Sequence, residues 1–172
     1  YMNTPVILFI DIETVSSVTN YTDLSVEMQT FWQKKANAWI RQSDEVNDEL
    51  FDKLYKDKAA IFAEYGKVVC ISFGYNAFSS ETNEYIFRIK SFYGDDEKKL
   101  LVDFIDMLNK WATGEAKFLC AHNGKEFDFP YISRRMLIHG ISLPSMLEIA
   151  GKKPWEVRHL DTMELWKFGD YK

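Results

Sequence analysis

Runs of apolar residues and their spacing predict five strands along the chain. PVILFIDIE is rich in β-branched and aromatic residues and predicts the first strand. KVVCISFGYN and NEYIFRIKSF predict a hairpin, because both are strand-like and a short turn-forming segment joins them. AKFLCAHNG and VRHLDTM predict the fourth and fifth strands. Together these segments predict one sheet whose strands come from the beginning, the middle and the end of the chain.

Other segments carry apolar residues at helical spacing. DDEKKLLVDFIDMLNKW predicts a strongly amphipathic helix, with Asp95 or Asp96 as its N-terminal cap. FDFPYISRRMLIHG predicts a second helix, after the fourth strand. Residues 25–65 predict a helical insert between the first two strands. A connection of this length inside a compact domain is usually functional, often as a lid.

The order of the predicted elements favours one fold class. It runs strand, helical insert, strand, strand, helix, strand, helix, strand, which predicts an α/β fold with one mixed sheet flanked by helices. A chain of 172 residues is long enough to bury a sizeable core. We therefore expect a single domain over residues 1–172, with residues 25–65 inserted after the first strand.

The first part of the insert has a pronounced apolar pattern. Met28, Phe31, Trp32, Ala36 and Trp39 recur near helical spacing. This stripe predicts core packing for the insert. The alternative is a structural role in which the aromatic residues of the insert contact a partner protein.

Charge limits the classes of function that fit the chain. The formal net charge is −5, whereas proteins that hold nucleic acid by electrostatics alone are basic. An enzyme whose bound cations supply the positive charge is not excluded. No apolar run reaches the ~18–20 residues that span a bilayer, and the N-terminus has no signal-peptide pattern. We therefore expect a cytoplasmic protein without membrane contacts.

Two carboxylates stand at the end of the first predicted strand. Asp11 and Glu13 share one face of the strand, while Ile12 points to the opposite face and the core. Their Cα atoms are expected ~6.6 Å apart, so both carboxylates can converge on one hard cation. The alternative is a pair of exposed acids at the end of a strand.

A second acid follows the fourth predicted strand. In HNGKEFDFP, Gly124 permits a tight turn and Asp128 lies at the beginning of a helix. One interpretation is an acid that stabilises the helix dipole. The other is a cluster with Asp11 and Glu13, since neighbouring strand ends meet at one edge of a sheet. Three unpaired carboxylates repel one another, so such a cluster predicts a bound metal.

FIDIET followed by CAHNGKEFDFPYI resembles the first two motifs of the DEDD 3′–5′ exonucleases. More narrowly, the pair is similar to the proofreading exonuclease domain of B-family DNA polymerases and its stand-alone bacterial relatives. The motifs occur in the family's order, and the predicted elements match its ribonuclease H-like fold.

The resemblance implies roles for individual residues. The carboxylates implied as both catalytic and metal-binding are Asp11, Glu13 and Asp128. The residues implied to contact the substrate are Thr14, Asn123 and Phe127. The possible accessory residues are His122 and Asp161. For His122 the alternative is a strand-end histidine bonded to a neighbour, and for Asp161 it is a cap of the helix that follows.

The resemblance also implies a reaction. The expected function is hydrolysis of phosphodiester bonds at nucleic-acid 3′ ends with two Mg²⁺ or Mn²⁺ ions, releasing nucleoside 5′-monophosphates. The expected partner is single-stranded nucleic acid or a 3′ end, with DNA favoured over RNA. The resemblance does not indicate which proteins, if any, bind to this chain.

One departure from the family pattern affects this expectation. The family has a third motif, a Tyr or His with an Asp four or five residues later, which supplies the fourth acidic ligand. This motif is not found, because Tyr171 is followed only by Lys172. We expect that the sequence is cut short before it. The alternative function is a catalytically inactive ribonuclease H-like module that binds nucleic acid.

Overall fold

A computed structural model describes residues 6–113 and 117–170 of the chain. The chain divides into two compact units. The first unit runs up to Glu13 and resumes at Val68, and the second unit is Thr14–Lys67. The predicted insert at residues 25–65 lies within the second unit.

Five strands and five helices are present in the described residues. The strands are β1 (Val6–Ser16), β2 (Gly66–Ser79), β3 (Glu84–Tyr93), β4 (Lys117–Ala121) and β5 (His159–Asp161). The helices are α1 (Val26–Ala36), α2 (Asp48–Lys58), α3 (Glu97–Trp111), α4 (Asp128–Ile138) and α5 (Thr162–Lys167). Short 3₁₀ turns cover Tyr21–Asp23, Ala59–Ile61 and Pro154–Glu156.

The five strands form one sheet in the order β3-β2-β1-β4-β5. Strand β4 is parallel to both β1 and β5, with Leu119 opposite Leu8 on one side and His159 on the other. Strands β2 and β3 form an antiparallel hairpin. The prediction of an α/β fold with one mixed sheet is thereby confirmed. Because parallel strands end at the same edge, the residues after β1 and β4 are carried to that edge.

Helix α3 joins the core of the first unit because its apolar residues occupy one face. Asp96 caps the helix by accepting a hydrogen bond from the backbone N–H of Lys99 at 3.0 Å, as the sequence predicts. Phe104 is fully buried, and its ring centroid lies 6.3 Å from that of Phe73 on β2. This packing fixes the hairpin against α3.

A buried ion pair connects helices α3 and α4. The two Glu97 oxygens accept hydrogen bonds from Arg135 Nε at 2.8 Å and from Arg135 Nη2 at 2.5 Å. The backbone N–H of Val68 donates to Glu97 at 2.7 Å, and His139 Nε2 lies 2.7 Å from the same carboxylate. Burial alone would raise the pKa of Glu97, but these partners outweigh it and the pKa is lowered. The pair therefore holds α3, α4 and the start of β2 together.

The second unit has an aromatic core of its own. Trp32 is fully buried, and its ring lies 4.9 Å from Tyr65 and 5.2 Å from Tyr55, both edge-on. Trp39 packs at the margin of the same cluster. Phe31 differs from the predicted stripe, because it is 57% exposed. A helix turns ~100° per residue, so adjacent residues such as Phe31 and Trp32 cannot both face the core fully.

No helix among the described residues combines the length and the apolar character that are needed to span a membrane.

Candidate functional site

The alternation of β1 places its two acids on the exposed face of the strand. Ile10 and Ile12 are buried, whereas Asp11 and Glu13 between and beyond them are exposed. This follows from the two-residue period of a strand. The two carboxylates therefore lie on the same face of β1, as the sequence predicts.

A tight turn after β4 carries the second motif. Asn123 has a left-handed backbone with φ of 61°, a conformation that Asn tolerates better than most residues. A Cβ added to Gly124 would lie 2.3 Å from the Cβ of Ala121, so only glycine fits there. The carbonyl of Asn123 accepts a hydrogen bond from the backbone N–H of Phe127 at 3.0 Å. The turn therefore leads directly into α4 and Asp128.

Asp161 anchors this turn. Its Oδ1 accepts hydrogen bonds from the backbone N–H groups of Asn123 at 2.8 Å and Met163 at 2.9 Å. Its Oδ2 accepts one from Lys125 at 3.1 Å. Burial would raise the pKa of Asp161, but the backbone N–H donors outweigh it and the pKa is lowered. Asp161 caps α5, as the alternative interpretation of the sequence holds, and it also fixes the turn at Asn123.

Asp128 is the acid that the fold buries at the edge of the sheet. It is 4% exposed, and its Oδ1 accepts a hydrogen bond from the backbone N–H of Ile12 at 3.2 Å. Burial is the main cause that raises the pKa of Asp128 to about 6, and repulsion from Asp11 adds to it. Asp128 therefore lies beside Ile12 of β1 and within the electrostatic reach of Asp11.

The structure places Asp128 within the electrostatic reach of Asp11, but it does not assemble Asp11, Glu13 and Asp128 into a metal site. Within residues 6–113 and 117–170, no group of three or more His, Cys, Asp or Glu side chains is placed to hold a metal ion. Glu13 is on the same strand face as Asp11, and both residues are exposed. The predicted cluster of three carboxylates is therefore not preassembled.

The donors present nevertheless fit a divalent cation. Both Asp11 and Asp128 offer carboxylate oxygens, which are the ligands that Mg²⁺ and Mn²⁺ prefer. In the described part of the chain, neither acid forms an ion pair with a basic side chain. A buried carboxylate next to a second acid and without a cationic partner is the arrangement that a bound cation stabilises.

Three other predicted site residues are His122, Phe127 and Thr14. His122 is exposed, and its Nδ1 lies 3.0 Å from Thr162 Oγ1, which matches the interpretation of a histidine bonded to a neighbour. The Phe127 ring is half-buried and packs 5.3 Å from Tyr131. Thr14 follows Glu13 on β1 and belongs to the second unit. The substrate roles of these residues stay predictions.

One contact that stabilises the turn after β4 was not predicted from the sequence, and its partner lies on α5. Lys125 Nζ lies 2.6 Å from a Glu164 oxygen, so the turn after β4 is tied to α5 by an ion pair as well as by Asp161. The two residues are 39 positions apart, and no local pattern relates them. Only the pairing of β4 with β5 brings them together.

We predict that Asp128→Asn makes the protein more stable at pH 7 in EDTA. The folded protein holds the Asp128 proton more tightly than the unfolded chain does, so ionisation costs stability as the pH rises from 3.8 to about 6. That difference corresponds to about 3 kcal/mol at pH 7. Asparagine removes the charge but keeps an oxygen for the Ile12 N–H. Urea unfolding should give a free energy of unfolding about 1–3 kcal/mol above the unsubstituted protein, and the gain should shrink at about pH 4.

Asp161→Asn is the matched control for this prediction. The pKa of Asp161 is lowered in the folded protein, so its charge contributes stability at pH 7. The same substitution there should lower the free energy of unfolding. An Asp128→Asn protein less stable than the unsubstituted protein at pH 7 would contradict the prediction.

Comparison with solved structures gave remote likenesses. The family B DNA polymerase of the hyperthermophilic archaeon Pyrobaculum calidifontis is 12% identical with a TM-score of 0.49, over 95% of this chain and 16% of that chain. Escherichia coli exonuclease I in complex with a dT13 oligonucleotide is 10% identical with a TM-score of 0.44, over 96% of this chain and 29% of that chain. The metal-free E. coli ExoI–ssDNA complex is 11% identical with a TM-score of 0.46, over 95% of this chain and 29% of that chain. This chain therefore spans less than a third of the length of these proteins.

Comparison at the level of families gave a decisive result. The search among curated proteins found no match. The family described as "DNA polymerase family B, exonuclease domain" matches residues 3–161, which is most of the 172-residue chain. The resemblance seen in FIDIET and CAHNGKEFDFPYI is thereby confirmed. The chain belongs to the family of exonuclease domains of family B DNA polymerases.

Proposed function

We propose that this chain is a metal-dependent 3′–5′ exonuclease, which hydrolyses phosphodiester bonds at nucleic-acid 3′ ends and releases nucleoside 5′-monophosphates. Membership of an exonuclease-domain family supports the nuclease class. The observation that carries the metal-dependent mechanism is the buried Asp128 carboxylate beside Asp11, with its pKa raised by burial and by the Asp11 charge to about 6. A cation between the two acids relieves both the burial cost and the repulsion.

Three carboxylates are proposed to hold two Mg²⁺ or Mn²⁺ ions. They are Asp11, Glu13 and Asp128, and Glu13 reaches the site from the strand face that it shares with Asp11. Two such ions, when bound, activate the attacking water and stabilise the charge on the attacking and leaving oxygens.

The remaining residues are proposed to position the substrate strand. The Phe127 ring offers a flat apolar face for an unpaired base, and Asn123 and Thr14 contact the terminal nucleotide. Asp161 is a positioning residue, because its carboxylate holds the backbone N–H groups of Asn123 and Lys125. His122 is a second accessory residue, held through Thr162.

The proposed substrate is single-stranded DNA, in preference to RNA. The family description names DNA polymerases, which supports DNA as the polymer. An acidic protein needs bound cations to approach an anionic strand, and the proposed ions supply them. A cytoplasmic location without membrane contacts accompanies this proposal.

The test is degradation of single-stranded DNA by the purified protein. With a 5′ label and Mg²⁺ or Mn²⁺, we expect a ladder of products that shorten with time, because cleavage proceeds from the unlabelled 3′ end. With a 3′ label, the first labelled product should be a mononucleotide. EDTA should abolish both results, and an RNA strand of the same length should be degraded more slowly. The absence of any metal-dependent ladder would contradict the proposal.

A catalytically inactive module that binds nucleic acid is the second candidate. One observation favours it, namely that no three acidic, His or Cys side chains in the described part of the chain are already placed to hold a metal. Calorimetric titration with Mn²⁺ discriminates the two candidates. Heat of binding with a stoichiometry near two ions supports the exonuclease, whereas no heat of binding in a protein that still binds DNA supports the module.

A further inference from the structure

A cleft lies between the hairpin and helix α3, away from the carboxylates. Its volume is about 750 Å³, which falls in the range of ~300–1,000 Å³ of ligand pockets in proteins. One wall is formed by side chains of β2 and β3 and the other by side chains of α3. The residues that matter for the argument are Tyr75, Arg88, Lys90, Asp106, Lys110 and Trp111.

The cleft belongs to a different part of the sheet surface from the candidate site. Asp11 lines a second, shallow groove of about 150 Å³ together with Ser72 and Gly74, and the two hollows share only Phe73 and Ile89 in their linings. Tyr75, which lines the larger cleft, alternates with Ser72 and Gly74 along β2, so its side chain points to the other face. A ligand in the larger cleft would therefore leave Asp11 free.

Three cations converge on the cleft without acidic partners. Arg88, Lys90 and Lys110 are exposed, and none of them forms an ion pair within the described residues. Of the two acids in the lining, Asp103 is already paired with Lys99 at 2.5 Å. Only Asp106 then opposes three positive charges. In a chain with a net charge of −5, such a local excess of positive charge favours an anionic ligand.

Aromatic rings stand beside these cations. Tyr75 and Arg88 are directly opposite each other across the hairpin, so a ring and a guanidinium are adjacent on one surface. Lys90 Nζ lies 4.9 Å from the ring centroid of Phe92, and Trp111 closes the cleft from α3. Tyr75 and Trp111 are partly exposed, and Lys117 Nζ lies over one face of the Trp111 ring, 4.7 Å from its centroid.

We propose that this cleft binds a nucleotide, with the base stacked on Tyr75 or Trp111 and the phosphate held by Arg88, Lys90 and Lys110. Aromatic faces interleaved with cations are the usual surface for single-stranded nucleic acid. The Asp106 carboxylate is the acceptor for a base amino group, as carboxylates accept from cytosine N4. The nucleotide comes either from a strand or from the pool of free mononucleotides, since both carry the same base and phosphate.

The proposal is tested by binding measurements in EDTA, so that loss of catalysis does not affect the result. The cleft variant is Arg88→Gln/Lys90→Gln/Lys110→Gln. The control variant is Lys34→Gln/Lys53→Gln/Lys98→Gln, which removes the same charge at other exposed positions. A fluorescent deoxycytidine oligonucleotide of ten nucleotides reports strand binding by anisotropy, and unlabelled nucleoside monophosphates compete with it.

We expect the cleft variant to bind the oligonucleotide about tenfold more weakly, with the slope of log affinity against log salt reduced by about 2, because up to three phosphate contacts are lost. The control variant should change affinity less than twofold.

Tyr75→Leu should weaken binding about tenfold without changing the salt slope, because it removes stacking alone. Competition by nucleoside monophosphates identifies the free nucleotide as the ligand, and its absence identifies the strand.

Three results would overturn the proposal. They are equal losses in the cleft and control variants, unchanged affinity in Tyr75→Leu, and displacement of the oligonucleotide by a polyglutamate peptide as effectively as by unlabelled oligonucleotide. Urea unfolding of each variant shows that the comparison is made between folded proteins. A protein that binds at the cleft but degrades no DNA would contradict the exonuclease proposal and leave this one standing.

Discussion

Replacing Asp11 by Asn is expected to lower the rate of metal-dependent DNA degradation by about 10³-fold or more. Burial is the main cause that raises the pKa of Asp128 to about 6, and the charges of Asp11 and Asp161 add to it. An amide of the same shape removes one negative charge from the proposed metal site. Metal ions supply several kcal/mol of transition-state stabilisation, and each 1.36 kcal/mol corresponds to about tenfold in rate. Single-turnover degradation of 5′-labelled DNA in Mn²⁺ measures the effect.

The control for this substitution is Asp57→Asn. Asp57 is exposed on α2 in the second unit, and the same change there should alter the rate less than twofold. Asp11→Asn should also keep the free energy of unfolding at or above that of the unsubstituted protein, because it removes repulsion from Asp128. A variant that keeps its activity within tenfold would exclude Asp11 as a catalytic residue.

Replacing Arg135 by Ala is expected to lower the free energy of unfolding by about 3–5 kcal/mol, because it leaves a buried carboxylate without its main partner. Glu97 is 5% exposed, and Arg135 makes hydrogen bonds to both of its oxygens. Urea unfolding at pH 7 measures the loss. The pKa of Glu97 is lowered in the folded protein, so the pair contributes stability at pH 7 that is lost as the pH falls below 4.5.

Two controls separate this buried pair from ordinary surface pairs. Lys99→Ala removes an exposed pair with Asp103 on α3, and it should lower the free energy of unfolding far less than Arg135→Ala does, because solvent screens the exposed pair. The double replacement Glu97→Leu/Arg135→Met should recover part of the loss, because a buried apolar pair carries no desolvation cost, although the Val68 N–H loses its acceptor. A loss below about 1 kcal/mol for Arg135→Ala would show that His139 and Val68 alone satisfy Glu97.

The elements with strong periodic patterns were predictable from the sequence. The buried apolar positions of β1 and the amphipathic face of α3 repeat at fixed spacing, and both elements form where that spacing places them. The short β5 was harder to delimit, because VRHLDTM predicts a longer strand than His159–Asp161. The strand ends at Asp161, whose side chain caps α5 and so commits the next residues to a helix.

Contacts between distant segments were not predictable. Glu97 and Arg135 are 38 positions apart, and each alone has the appearance of a surface charge on a helix. The double role of Asp161, as helix cap and as anchor of the turn at Asn123, depends on the pairing of β4 with β5. The cleft beside Tyr75 and Arg88 exists only because α3 packs against the hairpin.

Sequence alone is enough to predict the family, the strand faces of Asp11 and Glu13, and the turn that leads to Asp128, because these are local properties of spacing and backbone sterics. The burial of Asp128 against the backbone of Ile12, within the electrostatic reach of Asp11, is a property of the tertiary structure. Burial and charge repulsion depend on distances between strands, which no single segment of sequence contains.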